Sequence, residues 1–446
     1  MDQATLDEML AKVDAADGSD LHLKVGSAPH VRVNGDLQAL EGYPALKADD
    51  TRGYAQAIMQ EKTWVNFQES READLAYSVS GLGRFRVNGF WQRGSIGLVF
   101  RRVRMGASSF ESLGLPESVR TLADEQRGLI LVTGPTGSGK TTTLAAMIDH
   151  INVTRKCHII TIEDPIEILH HDQRSVVNQR EVGFDTHSFG RALRAAMRED
   201  PDVILVGEMR DLETVETAMA AAETGHLVLS TLHTIDSVET INRIVDFFPP
   251  NQQHQARTSL AGSLKGTICQ RLVRTTTEGR VPALEIMIVN GRIQQFIVES
   301  DKTKDIAVIV AEGESYGMQT FDQALVNLLA EGQIDLKSAM AAATNPHDLR
   351  VALQKKGMFT AGGQEIKSPG GLPDRPPPQQ APPPQAPPPQ APPPPPGPPP
   401  GYGQPPGQQQ YPQQQAPPYP QQPPPQQQQG YPPPAQGSPV GAPPTR

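Results

Sequence analysis

Residues 128–148 read GLILVTGPTGSGKTTTLAAMI, and this stretch decides the fold. Leu129 to Val132 form the unbroken apolar run of a strand buried on both faces. Thr142, Thr143, Leu144 and onward to Ile148 continue as a helix. Between them, Gly134-Pro135-Thr136-Gly137-Ser138-Gly139-Lys140-Thr141 matches G-x-x-x-x-G-K-[ST]. Glycines in such a loop let successive backbone N–H groups turn inward around phosphate oxygens, at the positive end of the following helix. Lys140 adds a point charge at the β- and γ-phosphates, and the Thr141 hydroxyl is placed to ligate Mg²⁺. Strand, loop and helix in that order predict an α/β domain of the P-loop type that takes ATP and Mg²⁺, with residues 134–142 as the nucleotide-binding loop.

Three further stretches downstream bring polar groups to the ends of apolar runs. In Thr161-Ile162-Glu163-Asp164-Pro165-Ile166-Glu167, a carboxylate at a strand exit is positioned to activate water; the same acids would also suit a turn before Pro165. Asp202-Val203-Ile204-Leu205-Val206-Gly207-Glu208 resembles a Walker B strand, with glycine where many NTPases keep aspartate and Glu208 left to act on the metal. His226-Leu227-Val228-Leu229-Ser230-Thr231-Leu232-His233-Thr234 is another buried strand; His233, Thr231 or Thr234 could sense the γ-phosphate, and a structural histidine is the alternative.

Outward from this core, strand runs at 129–133, 157–162, 203–206 and 227–231 alternate with helical segments at 140–151, 188–199 and 211–223, the grammar of a parallel sheet. From Pro249 to Gly357 the pattern is mostly helical, with helices expected at 252–273, 320–330, 336–343 and 346–355 and a short strand from Ala283 to Val289. Before it, Leu6, Met9, Leu10 and Val13 share a helical stripe, and a helix is expected over 51–70. Alternating runs at Leu21–Val25, Val31–Val33, 73–79, 83–91 and 95–103, with the hairpin pair Asn34-Gly35, predict a small α+β domain over 1–105. A linker at 106–118 joins it to the larger domain, 119–357.

Composition separates the remainder. Of 44 prolines, 10 lie in residues 1–357 and 34 in residues 358–446, where 19 glutamines join them. Such a segment cannot bury enough apolar surface to offset the entropy of ordering, so a disordered tail is expected. Its removal is expected to leave hydrolysis intact. The body carries 37 Lys and Arg against 47 Asp and Glu, a balance of −10 that argues against nucleic acid as partner. Cys157 and Cys269 are too few for a disulfide scaffold or a cysteine-rich zinc module. No apolar stretch approaches ~20 residues and no signal peptide is visible, which predicts a cytoplasmic protein with no transmembrane segment.

Together these residues resemble the secretion-type ATPase superfamily, and most closely the PilT family of type IV pilus retraction motors. The resemblance extends from residue 5 to about 355 and includes Ser19-Asp20-Leu21-His22-Leu23, Val177-Asn178-Gln179-Arg180-Glu181-Val182 and Gly317-Met318-Gln319-Thr320-Phe321-Asp322-Gln323-Ala324-Leu325. It implies a PAS-like N-terminal domain, a RecA-like ATPase domain and a homohexamer working at the inner membrane on a pilus platform protein. It assigns Glu163 as catalytic base, Glu208 as the Mg²⁺-coordinating acid, and His226 and His233 as the two histidines of the family's His box, His226 on the nucleotide and His233 in catalysis. On Gly83-Arg84-Phe85-Arg86-Val87-Asn88 it implies that Arg84 and Arg86, which share one strand face, act as arginine fingers; a solvated strand face is the alternative.

The family also carries Ala-Ile-Arg-Asn-Leu-Ile-Arg-Glu, needed for retraction. Here Arg292-Ile293-Gln294-Gln295-Phe296-Ile297-Val298-Glu299 keeps Ile293, Ile297 and Glu299 and replaces both arginines, by Gln294 and Val298. That departure points to an alternative role as a PilU-like paralogue assisting a principal retraction ATPase.

Overall fold

In the computed structural model, which describes residues 3–358, two sheets with separate cores carry the chain. The tail expectation falls on residues outside the described ones.

The first sheet is antiparallel, with strands β1 (Asp20–Leu23), β2 (His30–Val33), β3 (Asp36–Ala39), β4 (Glu72–Val79), β5 (Gly83–Gln92) and β6 (Ser95–Arg102) in the order β3-β2-β1-β6-β5-β4. Asn34 and Gly35 join β2 to β3 with φ of 50° and 93°, the paired positive values of a type I′ turn. Helix Gln3–Ala15 buries Leu6, Met9, Leu10 and Val13 in this sheet's core, along the expected stripe. The expected helix over 51–70 is two helices, Ala48–Ile58 and Glu61–Ser70, because Met59 and Gln60 are extended. The break lets Tyr54 and Ala55 from one half and Phe67 from the other reach the same core.

Strand β7 (Arg104–Met105) leaves this sheet and pairs in parallel with β10 (Ile168–Leu169), forming a two-stranded strap. The second sheet holds β8 (Gly128–Thr133), β9 (His158–Glu163), β11 (Val176–Glu181), β12 (Val203–Val206), β13 (Leu227–Leu232), β14 (Leu264–Arg274) and β15 (Arg280–Ile288), in the order β11-β9-β12-β13-β8-β14-β15. All its pairings are parallel except that of β15, an antiparallel edge. Strands β8, β12 and β13 are buried along their whole length, which is why they read as continuous apolar runs. Helices pack on both faces, dividing the apolar interior into two clusters.

The C-terminal part of this half differs from the expectation. Helix Gln253–Ser263 stops where a helix to 273 was expected, and β14 takes over. Gly266 permits the change: a Cβ there would lie 2.6 Å from the Met287 carbonyl oxygen on β15. The expected short strand at 283–289 starts earlier, at Arg280, because it is the hairpin partner of β14. Helices Leu336–Ala342 and Pro346–Lys355 lie where expected. Among the described residues, no helix is long and apolar enough to cross a membrane.

Parallel pairing sends the exits of β8, β9, β12 and β13 to one edge of the sheet, the edge at which α/β proteins bind ligands.

Candidate active site

The loop after β8 is shaped by glycines in the left-handed half of backbone space: Gly134, Gly137 and Gly139 have φ of 139°, 79° and 92°. Two of them also allow close packing. A Cβ on Gly134 would fall 2.4 Å from the Gln270 carbonyl oxygen, and one on Gly139 would fall 2.7 Å from Gln270 Nε2. Gln270, on β14, also accepts a 2.8 Å hydrogen bond from the Thr143 hydroxyl, in a fully buried contact. The P-loop is thus clamped between its own helix and the neighbouring strand.

Lys140 Nζ donates to the carbonyl oxygens of Gly134 (2.8 Å) and Pro135 (3.2 Å), so its ammonium sits folded across the loop. Burial pulls its pKa below the usual lysine value, against the opposing pull of Glu208 and Glu167. Thr136, Gly137, Gly139, Lys140, Thr141 and Thr142 face a cavity of about 740 Å³, while Gly134, Pro135 and Ser138 form the loop's back. The Ser138 hydroxyl is buried with no hydrogen-bond partner. Positive-φ glycines and a half-buried ammonium facing the cavity suit a polyphosphate.

Across the cavity stands an acidic wall. Glu163, at the end of β9, is 9% exposed. Its Oε1 accepts from the Thr161 hydroxyl at 2.6 Å and from Gln179 Nε2 at 3.1 Å. Burial raises its pKa above the usual carboxylate range; those two hydrogen bonds pull the other way and the nearby Glu167 pushes it further up. Glu208, after β12, accepts from Arg210 Nε at 2.9 Å and Nη2 at 2.8 Å, and its other oxygen faces His233 Nε2 at 3.2 Å. Thr231 donates to the Gly207 carbonyl at 2.6 Å. Glycine at 207 has a steric reason: a Cβ would press to 3.1 Å on the Ile162 carbonyl oxygen, where the β12 exit passes β9.

Lys140, Thr141, Glu163, Glu208, Thr231 and His233 therefore line one cavity. His226 does not join them. It precedes β13 at the opposite edge of the sheet, with Nδ1 3.0 Å from the Ala221 carbonyl oxygen. Six strand residues at about 3.3 Å each put it roughly 20 Å from the cavity edge. Arg84 and Arg86 also lie outside the lining. Arg84 Nη2 instead meets Glu181 Oε2 at 3.1 Å, with the two side chains 20% and 6% exposed. Arg86 is exposed on the same face, while Phe85 and Val87 are buried beneath, as the alternation predicts.

Among the described residues there is no cluster of three or more His, Cys, Asp and Glu able to hold a metal ion alone. Thr141 and Glu208, which share the cavity, fit Mg²⁺ in its usual nucleotide-bound form, where phosphates and water complete the shell. Gln270, Gln179 and Arg210 are absent from the sequence-level site. The signal for Arg210 was present: a cation two residues beyond the acid of a Walker B-like strand.

A family model described as Type II/IV secretion system protein matches residues 6–341. The chain is 46% identical over 341 residues to a protein named type IV pilus retractation ATPase PilT, from Pseudomonas aeruginosa, covering 76% of this chain and 98% of that relative. It is 40% identical over 338 residues to one named type IV pilus ATPase PilU from the same organism, covering 76% and 88%. A crystal structure of the pilus retraction motor PilT with bound ADP superposes with a TM-score of 0.70 at 47% identity, over 76% of this chain and 97% of that one.

Proposed function

The chain belongs to the type II/IV secretion system protein family, and on that premise we propose that it is a hexameric ATPase motor driving retraction of a type IV pilus. The observation that carries the reading is the meeting of Lys140, Thr141, Glu163, Glu208 and His233 on one cavity. In this reading residues 1–105 are a PAS-like domain, 106–118 a linker and 119–357 a RecA-like ATPase domain. The protein works in the cytoplasm at the pilus base, associated peripherally with the inner membrane through a platform protein.

The mechanism follows from the walls of the cavity. The P-loop amides and Lys140 hold and neutralise the phosphates of ATP. Glu163 takes a proton from the attacking water; its burial brings its basicity closer to working pH than that of an exposed glutamate. Thr161 and Gln179 fix the carboxylate's direction. His233, against Glu208, is placed to report the γ-phosphate. Thr141 and Glu208 would hold Mg²⁺, which would supply charge neutralisation at the phosphates. Arg84 and Arg86 serve as arginine fingers when the small domain closes, which requires Arg84 to leave Glu181. ATP turnover by the wild type and by Lys140→Ala tests the assignment, and equal turnover would reject it.

A second reading is an accessory ring that assists a paralogous motor. Its support is the helix Gly291–Val298, which buries Ile293 and Ile297 and exposes Gln294, so one of the two replaced arginine positions faces outward while Val298 packs against the core. Gene deletion separates the two readings: hyperpiliation with lost surface motility marks the principal motor, and near-normal piliation the accessory one.

A further inference from the structure

Gln179 has three side-chain contacts, and they determine its orientation. Its Nε2 donates to Glu163 Oε1 at 3.1 Å and to the Ile168 carbonyl at 2.9 Å, while its Oε1 accepts from the His170 backbone N–H at 2.8 Å. Both amide protons and the oxygen are engaged. A flipped amide would set oxygen against the Ile168 carbonyl and the Glu163 carboxylate, and N–H against N–H at His170, so the network admits one orientation. Register holds it there, since Gln179 on β11 pairs with Thr161 on β9, the other donor to the same carboxylate oxygen.

The two backbone partners lie on or beside the strap. Ile168 belongs to β10, which pairs with β7 where the chain leaves the small sheet, and the Gly106 N–H donates to the Leu169 carbonyl at 2.9 Å. A second link runs parallel to it. Arg84 of β5 holds Glu181, whose Oε2 also receives the Ile166 N–H at 3.3 Å. The segment 163–170 is thus held by Gln179 and Glu181 of β11 and by the strap, and Arg84 joins Glu181 to the small sheet.

We propose that Gln179 is a positioning residue for Glu163, locking the carboxylate to the β7·β10 strap so that the placement of the small domain sets the placement of the base. The inference rests on the reading of Glu163 as general base. Gln179 does not line the nucleotide cavity, so its loss acts on the chemical step and not on capture of ATP.

The test uses the full-length assembled protein and compares Gln179→Leu, Gln179→Glu and Glu163→Gln. Gln179→Leu removes all three hydrogen bonds; Gln179→Glu keeps the shape and the acceptor for His170 and loses both donors above the pH at which it and Glu163 share a proton, so the variants are compared there. Both should lower kcat by about ten- to a hundredfold, with KM for ATP and affinity for a fluorescent ADP analogue within about twofold of wild type. A kcat within twofold of wild type in both, with Glu163→Gln inactive, overturns the positioning role alone. A risen KM at unchanged kcat overturns it as well, as does a loss in the leucine variant that the glutamate variant lacks. Should Gln179→Leu fail to fold, the isosteric Gln179→Glu decides. Full turnover by Glu163→Gln would overturn the reading of the base, and this inference with it.

Discussion

The two walls of the nucleotide cavity are held by different parts of the molecule. The P-loop wall, Gly134–Thr142, takes its support from the large sheet: Gln270 on β14 presses Gly134 and Gly139 and bonds Thr143, and Lys140 bonds its own loop. The opposite wall, Glu163–His170, is tied to the small sheet and its exit through the β7·β10 strap and the Arg84–Glu181 pair. One wall offers phosphate recognition from within a single layer of the fold. The other presents Glu163, the proposed base, on a segment bonded to Gln179 and Glu181 of β11 and joined to the small sheet through the strap and Arg84. A shift of the small sheet therefore bears on the carboxylate before it bears on the phosphate loop, an arrangement suited to gating hydrolysis with nucleotide held.

The largest effect expected is that of Lys140→Ala. It removes the charge on the phosphates and should lower ATP turnover by about a thousandfold and weaken nucleotide binding, read by phosphate release and by titration with a fluorescent nucleotide. Unweakened binding would break the assignment of that wall to capture. Gly134→Ala should destabilise by about 3 kcal/mol, since its φ of 139° and the 2.4 Å approach to the Gln270 carbonyl leave no room for a side chain. The loss appears in the denaturant midpoint, together with reduced nucleotide affinity. Arg84→Ala leaves the Glu181 carboxylate, 6% exposed, without its ion-pair partner and should cost about 2 kcal/mol. Its kcat should fall with KM for ATP unchanged, as the tie to Glu181 and the finger role both require.

The smallest effect concerns pH. Glu163 has its folded pKa raised by burial, so the unfolded chain releases this proton first as pH rises. Its contribution to stability therefore falls as pH climbs from the ordinary glutamate value through the folded one. Over the same window the carboxylate becomes competent as a base, so kcat/KM should rise with an apparent pKa above 4.5, the usual value. Glu163→Gln should reduce the stability slope there, and the buried Glu285, whose pKa is raised likewise, keeps part of it.

The P-loop was legible in the sequence because its chemistry is local: strand, glycines, lysine and helix are contiguous. So was the glycine at 207 as a departure, though its cause, the Ile162 carbonyl, lies on another strand. Strand β14 was misread because Leu264, Ile268, Cys269 and Leu272 also fit helical spacing, and only Gly266 and the pairing with β15 distinguish the two. Strand β11 is an edge with mixed exposure along Val176–Glu181, so it lacks the apolar run that announced β8, β12 and β13. For that reason Gln179 stayed hidden: its role depends on the register Gln179–Thr161, a long-range pairing that no spacing within 176–181 encodes. The Arg84–Glu181 pair, 97 positions apart, was hidden in the same way, whereas the distance of His226 from the cavity follows from the length of β13 alone.

The central claim, that this cavity hydrolyses ATP with Glu163 as the base, is tested most directly by single-turnover hydrolysis in the assembled Glu163→Gln protein. The account predicts ATP bound as tightly as by the wild type and cleaved about 10²- to 10⁴-fold more slowly. Cleavage at the wild-type rate would contradict it.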